Sequence, residues 1–160
     1  MQYESTTTLN RIREGSPDSG RACEEGWTKL LETLGKTKAD DEPIDLLTVL
    51  DSNGLDDALW VLSYAMPDDR LARHFQAWCA EQVLYLFEAE RPNDNRVRAQ
   101  IDTLKNDDAT DEERAAARDA AWAAAWDAAW DAAGDAAWAA AWDAAWAAQE
   151  KQLRKMLVQK

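Results

Sequence analysis

Basic residues are scarce in this chain. Eighteen Lys and Arg stand against 31 Asp and Glu, a net charge of −13. That balance argues against gripping a nucleic-acid duplex, because phosphate contacts need cations. It suits a basic protein surface, whose approach an acidic field would accelerate. Histidine occurs once and cysteine twice. One lone pair of cysteines, Cys23 and Cys79, makes neither a disulfide framework nor a metal pattern, so reduced thiols in the cytoplasm are expected. No run of eighteen apolar residues appears, and Asp127, Asp131 and Asp135 interrupt the most apolar stretch, so no membrane span is expected. The opening "MQYESTTTLNRIREGS" has no apolar h-region, and no secretory leader is expected.

Recognisable catalytic patterns are missing too. "GKT" (35–37) matches the end of a phosphate-binding loop, but Leu30 stands where the earlier glycine belongs. "DSNGLDD" (51–57) resembles part of a calcium loop, but its glycine comes too early and Leu62 replaces the closing Glu. His74 lies among apolar and basic residues with no nucleophile motif nearby. The adjacent pairs Asp56/Asp57 and Asp68/Asp69 read as caps and first-turn acids. No enzyme and no cofactor are expected.

What the chain has is helix. No segment reads as a strand, and the expected class is all-α. Residues 1–22 are polar, with "GSPDSG" in the middle, and read as loosely ordered. Residues 23–108 read as a compact bundle of about five helices. Trp27, Leu30, Leu31 and Leu34 form an i, i+3, i+4, i+7 stripe stopped by Gly35. Pro43 reads as the first position of the next helix. "DSNG" punctuates, and "LDDALWVLSYAM" follows. Then comes a long amphipathic helix whose expected buried face is Leu71, Phe75, Trp78, Cys79, Gln82, Val83, Leu86 and Phe87. "NRVRAQIDTLK" reads as a weaker fifth helix.

Residues 109–160 read as a very long Ala/Trp-rich C-terminal helix. "TDEE" (110–113) is a capping box, alanine is the strongest helix former, and no proline interrupts the run. About fifty residues would span roughly 75 Å. The run is expected to be continuous or mildly bent at Gly134, the slot where another tryptophan is due. Its tryptophans recur every four residues, which over-rotates a 3.6-residue helix by about 40° per step. Trp122, Trp126 and Trp130 therefore share one arc. Trp138, Trp142 and Trp146 share another, centred about 160° away. One face can pack on the bundle and the other is left for a partner. Asp127, Asp131, Asp135 and Asp143 wind beside the indoles as an acidic row.

"LGKTKADDEP" (34–43) with "DSNGLDDALW" (51–60), and "ATDEERAAARDAAWAAAWDAAW" (109–130), carry a resemblance. They resemble a family of small all-α immunity proteins of bacterial polymorphic toxin loci, with relatives in temperate phages of enteric bacteria. The likeness covers most of the chain after residue 20; "NGLDDALW" is its more specific block. It implies a non-catalytic protein in a bacterial cytoplasm that neutralises a toxin or a host defence effector. Relatives often have a cysteine and a longer basic run where this chain has "DALWVLSYAMPDD", so no cysteine-dependent role and no residue roles carry over.

The leading expectation is an inhibitor acting as a homodimer or higher oligomer. Trp138, Trp142 and Trp146 would be its interface anchors, and Asp127, Asp131, Asp135 and Asp143 its charged edge. A second expectation is a protein that sequesters a small nucleotide signal between indoles, with Arg114, Arg118, Trp122 and Trp126 as contacts. A third is a structural homo-oligomer with the tryptophans as its seam.

Overall fold

A computed structural model describes residues 3–15, 22–131 and 138–158; for 125–131 and 138–144 it describes the backbone. The described chain is mostly helical, as the sequence predicts, but it also contains a small sheet. Two compact units are formed, one by residues 1–72 with 150–160, the other by 73–149.

The first unit begins where the sequence reads as loosely ordered. β1 (Thr6–Thr8) pairs antiparallel with β2 (Pro43–Asp45), with Thr7 opposite Ile44. Pro43 thus sits in a strand, not at a helix start. Strands of three residues are too short to show period-two alternation, so the sequence gives no sign of them. The buried Thr7 hydroxyl donates to the Ala65 carbonyl, and Leu46 N donates to Ser5 O at 2.8 Å. α1 (Leu9–Glu14) follows at once, capped by the Thr8 hydroxyl, and buries Leu9 and Ile12. These two side chains turn an otherwise polar segment into part of the core.

α2 (Glu24–Leu34) buries Trp27 and Leu30 from the expected stripe. Gly35 ends it in the left-handed conformation, with Lys36 N bonded back to Leu31 O at 2.9 Å. Asp45 caps α3 (Leu46–Asn53), accepting from Leu47 N. Gly54, at φ +94°, separates α3 from α4 (Leu55–Tyr64), and both helices bury apolar faces. The unit is completed by the last turns of α8 (Trp138–Val158), which bury Leu153, Met156 and Leu157. Arg154 on α8 pairs with Asp51 of α3 and with Glu150 one turn back.

In the second unit, α5 (Arg70–Glu90, here from Arg73) and α6 (Arg96–Lys105) share a core of Ala77, Leu84, Ile101 and Leu104. Glu81–Lys105 and Glu88–Arg98 ion pairs flank that core. The expected face of α5 is corrected here. Leu71 and Phe75 are buried, but Gln82, Val83 and Leu86 are exposed, and Trp78, Cys79 and Phe87 are only half-buried. The stripe that meets α6 is instead Ala77 and Leu84, both buried, with the partly buried Ala80, where small side chains let α6 come close.

Asp94 accepts from the Arg96 guanidinium at 2.6 Å and then from Arg96 N at 3.1 Å, which together hold its carboxyl down to about 2. The capping box of α7 (Asp111–Asp131) forms in full. Glu113 N donates to the Thr110 hydroxyl at 3.2 Å, and Thr110 N to the Glu113 carboxylate at 2.8 Å. In place of one helix of about fifty residues, the described chain carries α7 and α8, of 21 residues each. Gly134 and Asp135 lie between them, outside the described residues.

No helix among the described residues is long and apolar enough to cross a membrane. No group of three or more His, Cys, Asp and Glu among them could hold a metal ion.

Candidate functional site

The sequence directs attention to the Ala/Trp run, but the structure supplies a second location. A cavity of about 310 Å³ opens in the first unit, between α2, α3 and α4. Its apolar wall is buried: Ile12, Leu30, Val49 and Val61. Two indoles, Trp27 and Trp60, also line it, and its polar edge consists of Cys23, Asn53, Asp56 and Asp57. Three of those four polar residues, and Trp60, come from α3–Gly54–α4.

The polar edge is built, not incidental. Asn53 is held on both sides of its amide. Its Oδ1 accepts from the Ser52 hydroxyl at 2.6 Å, and its Nδ2 donates to Gly26 O at 2.8 Å and Asp57 Oδ2 at 2.7 Å. This fastens the start of α4 to the first turn of α2. Gly26 permits the approach, since a Cβ there would stand 2.4 Å from Asp57 Oδ2 and 3.1 Å from Cys23 Sγ. Cys23 is the N-cap of α2, its sulfur accepting from Gly26 N at 3.3 Å. Asp57 is therefore oriented by a neutral amide, and neither Asp56 nor Asp57 has a cation partner among the described residues. Among the described residues no Lys, Arg or His lines the cavity.

The two thiols differ in chemistry. Cys23 is exposed, whereas burial pushes the half-buried Cys79 thiol up to about 11. At pH 8 only about one in a thousand such thiols is ionised, and the thiolate is the nucleophile. Iodoacetamide at pH 8 is expected to label Cys23 at least about tenfold faster than Cys79. Peptide mass spectrometry over a time course checks this, and equal rates would contradict it.

The residues singled out from sequence fare unevenly. Trp122 stands 71 % exposed on α7, where Ala124 is the buried position, so this indole is not core. Arg118 lies one turn before it, exposed and 3.6 Å from Asp119. Arg114 is engaged locally, with Asp111 at 3.1 Å and Asp107 O at 3.4 Å. Trp146 is half-buried on α8. The side chains of Trp126, Asp127, Asp131, Trp138, Trp142 and Asp143 lie outside the described residues, as does Asp135.

Asp56 and Asp57 are first-turn acids, as the sequence predicts, and they also border the cavity, which it does not predict. The available signal was Gly26. A glycine in the first turn of a good helix costs stability and points to a close neighbour. Comparison with protein-family models, with curated proteins and with solved structures returned no match.

Proposed function

We propose that this protein is a non-enzymatic inhibitor that binds and neutralises a protein target, a bacterial toxin or a host defence effector, through acidic and aromatic helical surface. The observation that carries the reading is Trp122. An indole is costly to leave in water, and this one is 71 % exposed on a well-capped helix. The same unit exposes Val83, Tyr85 and Leu86 on α5. Apolar surface of this kind, in a chain of net charge −13, suits a partner with a basic, partly apolar face. Trp138, Trp142 and Trp146 extend the proposal as further anchors, with the Asp row of 127, 131, 135 and 143 beside them.

Native mass spectrometry of the protein, purified gently from the cells that carry it, tests the reading. The expected result is an added mass of protein size, lost in Trp122→Ala, whose thermal midpoint stays within about 1–2 °C because the side chain is mostly exposed. A partner held equally by Trp122→Ala would remove Trp122 as an anchor. A bare multiple of 18.0 kDa would favour a structural homo-oligomer.

The nucleotide-sequestering alternative draws on one feature, Arg118 and Trp122 one turn apart on exposed α7, a cation beside a stacking surface. An added mass of a few hundred daltons would turn the reading that way.

A further inference from the structure

We propose that the cavity between α2, α3 and α4 receives a guanidinium group, presented as an arginine side chain by the protein target. The assignment rests on the reading of the chain as a binding protein.

Three properties of the site converge on this chemistry. The first is shape. At about 310 Å³ the cavity is at the small end of ligand pockets, which run from about 300 to 1,000 Å³, and suits one side chain. The second is its walls. Indoles line it, and the electron-rich face of an indole attracts a cation laid over it. Trp27 already serves this way within the protein, since the Arg13 guanidinium carbon stands 5.1 Å from its ring centre. Arg13 does not line the cavity, and it is paired with Glu24 at 3.6 Å.

The third property is charge. Among the described residues, Asp56 and Asp57 bring two carboxylates without a cation partner to a wall that holds no basic group. Asn53 occupies Asp57 Oδ2 and fixes the carboxylate plane, so Oδ1 remains for an incoming donor. Among the described lining residues the charged groups are both carboxylates, which disfavours a phosphate or a nucleotide. The aliphatic stem of arginine would lie against Leu30, Val49 and Val61. Its planar fork suits both the carboxylate and the ring better than an ammonium does.

The test uses the full-length protein and two probes of nearly one shape, butylguanidinium and neutral butylurea. Two-dimensional NMR would follow the Asn53 side-chain amide, the Gly26 amide and the Trp27 and Trp60 indole N–H groups. Cys23 alkylation gives a second readout, since a filled cavity covers its edge. The expected result is saturable shifts at these groups, at least about tenfold tighter for the guanidinium than for the urea, with Cys23 labelling slowed.

Asp57→Asn is expected to weaken the guanidinium about tenfold and leave butylurea unchanged. Gly26→Ala, whose methyl displaces the same carboxylate, should act alike. Asp102→Asn, on an exposed part of α6, should have no effect. A blocked Gly-Arg-Gly peptide is expected to bind at least as tightly as butylguanidinium.

Equal affinity for the two probes, an Asp57→Asn protein that binds unchanged, or no shift at these groups would overturn the proposal. Exclusion of the peptide while free butylguanidinium binds would overturn the assignment to a protein side chain. The probes need no target, so these outcomes are independent of the Trp122→Ala result, which tests the binding-protein reading separately.

Discussion

Leu153→Ala is expected to destabilise the first unit by about 3 kcal/mol, within the 2–5 kcal/mol typical of a leucine truncated in a well-packed core. The side chain is fully buried, and Met156 and Leu157 beside it are nearly so. The helix that carries it is rich in alanine, which contributes little burial per residue, so the few large side chains at its end hold it in place. Arg154, the next residue, reaches Asp51 of α3 and Glu150 one turn back. That ion pair is part-exposed and contributes far less than the leucine. For a chain of this length the loss corresponds to a melting point lower by roughly 6–12 °C. Val158→Ala, at a position 63 % exposed, should change it by no more than about 2 °C. Thermal unfolding of the two variants side by side checks the expectation. Equal effects would mean that the end of α8 is not part of the core.

Helix ends were legible, because caps are local chemistry. Thr110 and Glu113 close their box, Gly35 turns left-handed where the stripe stops, and Gly54 parts two helices. Which face of a helix is buried was less legible. On α5 the larger residues suggested one face, yet Ala77, Ala80 and Leu84 are the ones that meet α6. Hydrophobicity says that a residue can be buried, and only the neighbouring helix decides whether it is.

β1 and β2 escaped notice because a three-residue strand has no period, and Pro43 carried a stronger helix signal than its actual role. The cavity is legible only in part. Gly26 hints at a close neighbour, but which one is set by the Asn53 amide, distant in the chain, that bridges two helices to Gly26 and Asp57.

Arg73→Met is expected to cost the second unit about 3 kcal/mol, near the lower end of the 3–5 kcal/mol lost when one partner of a buried pair is removed. The guanidinium is buried and bridges two acceptors. It donates to Leu104 O at 2.9 Å and to Asp107 at 3.2 Å. Leu104 is in the last turn of α6, where helix carbonyls have no partner of their own, so Arg73 ends that helix from outside it. Its charge also meets the negative end of the helix dipole.

Methionine keeps the stem's packing and removes the donors to Leu104 O and Asp107. The Leu104 carbonyl then lacks this bond, and Asp107 loses the guanidinium while keeping its contact with His74 Nε2 at 3.2 Å. Asp107 is 39 % exposed, so water recovers part of its loss, which is why the lower end of the range applies. Arg73→Lys should lose less, since it retains the charge, but a single ammonium cannot reproduce a fork that reaches two acceptors. Chemical denaturation would give the size of the loss, and hydrogen exchange its place. The last amides of α6 and those of the 106–109 turn should lose protection first in Arg73→Met. An unfolding free energy unchanged within 0.5 kcal/mol, about the effect of a surface substitution, would show that the guanidinium contributes nothing net.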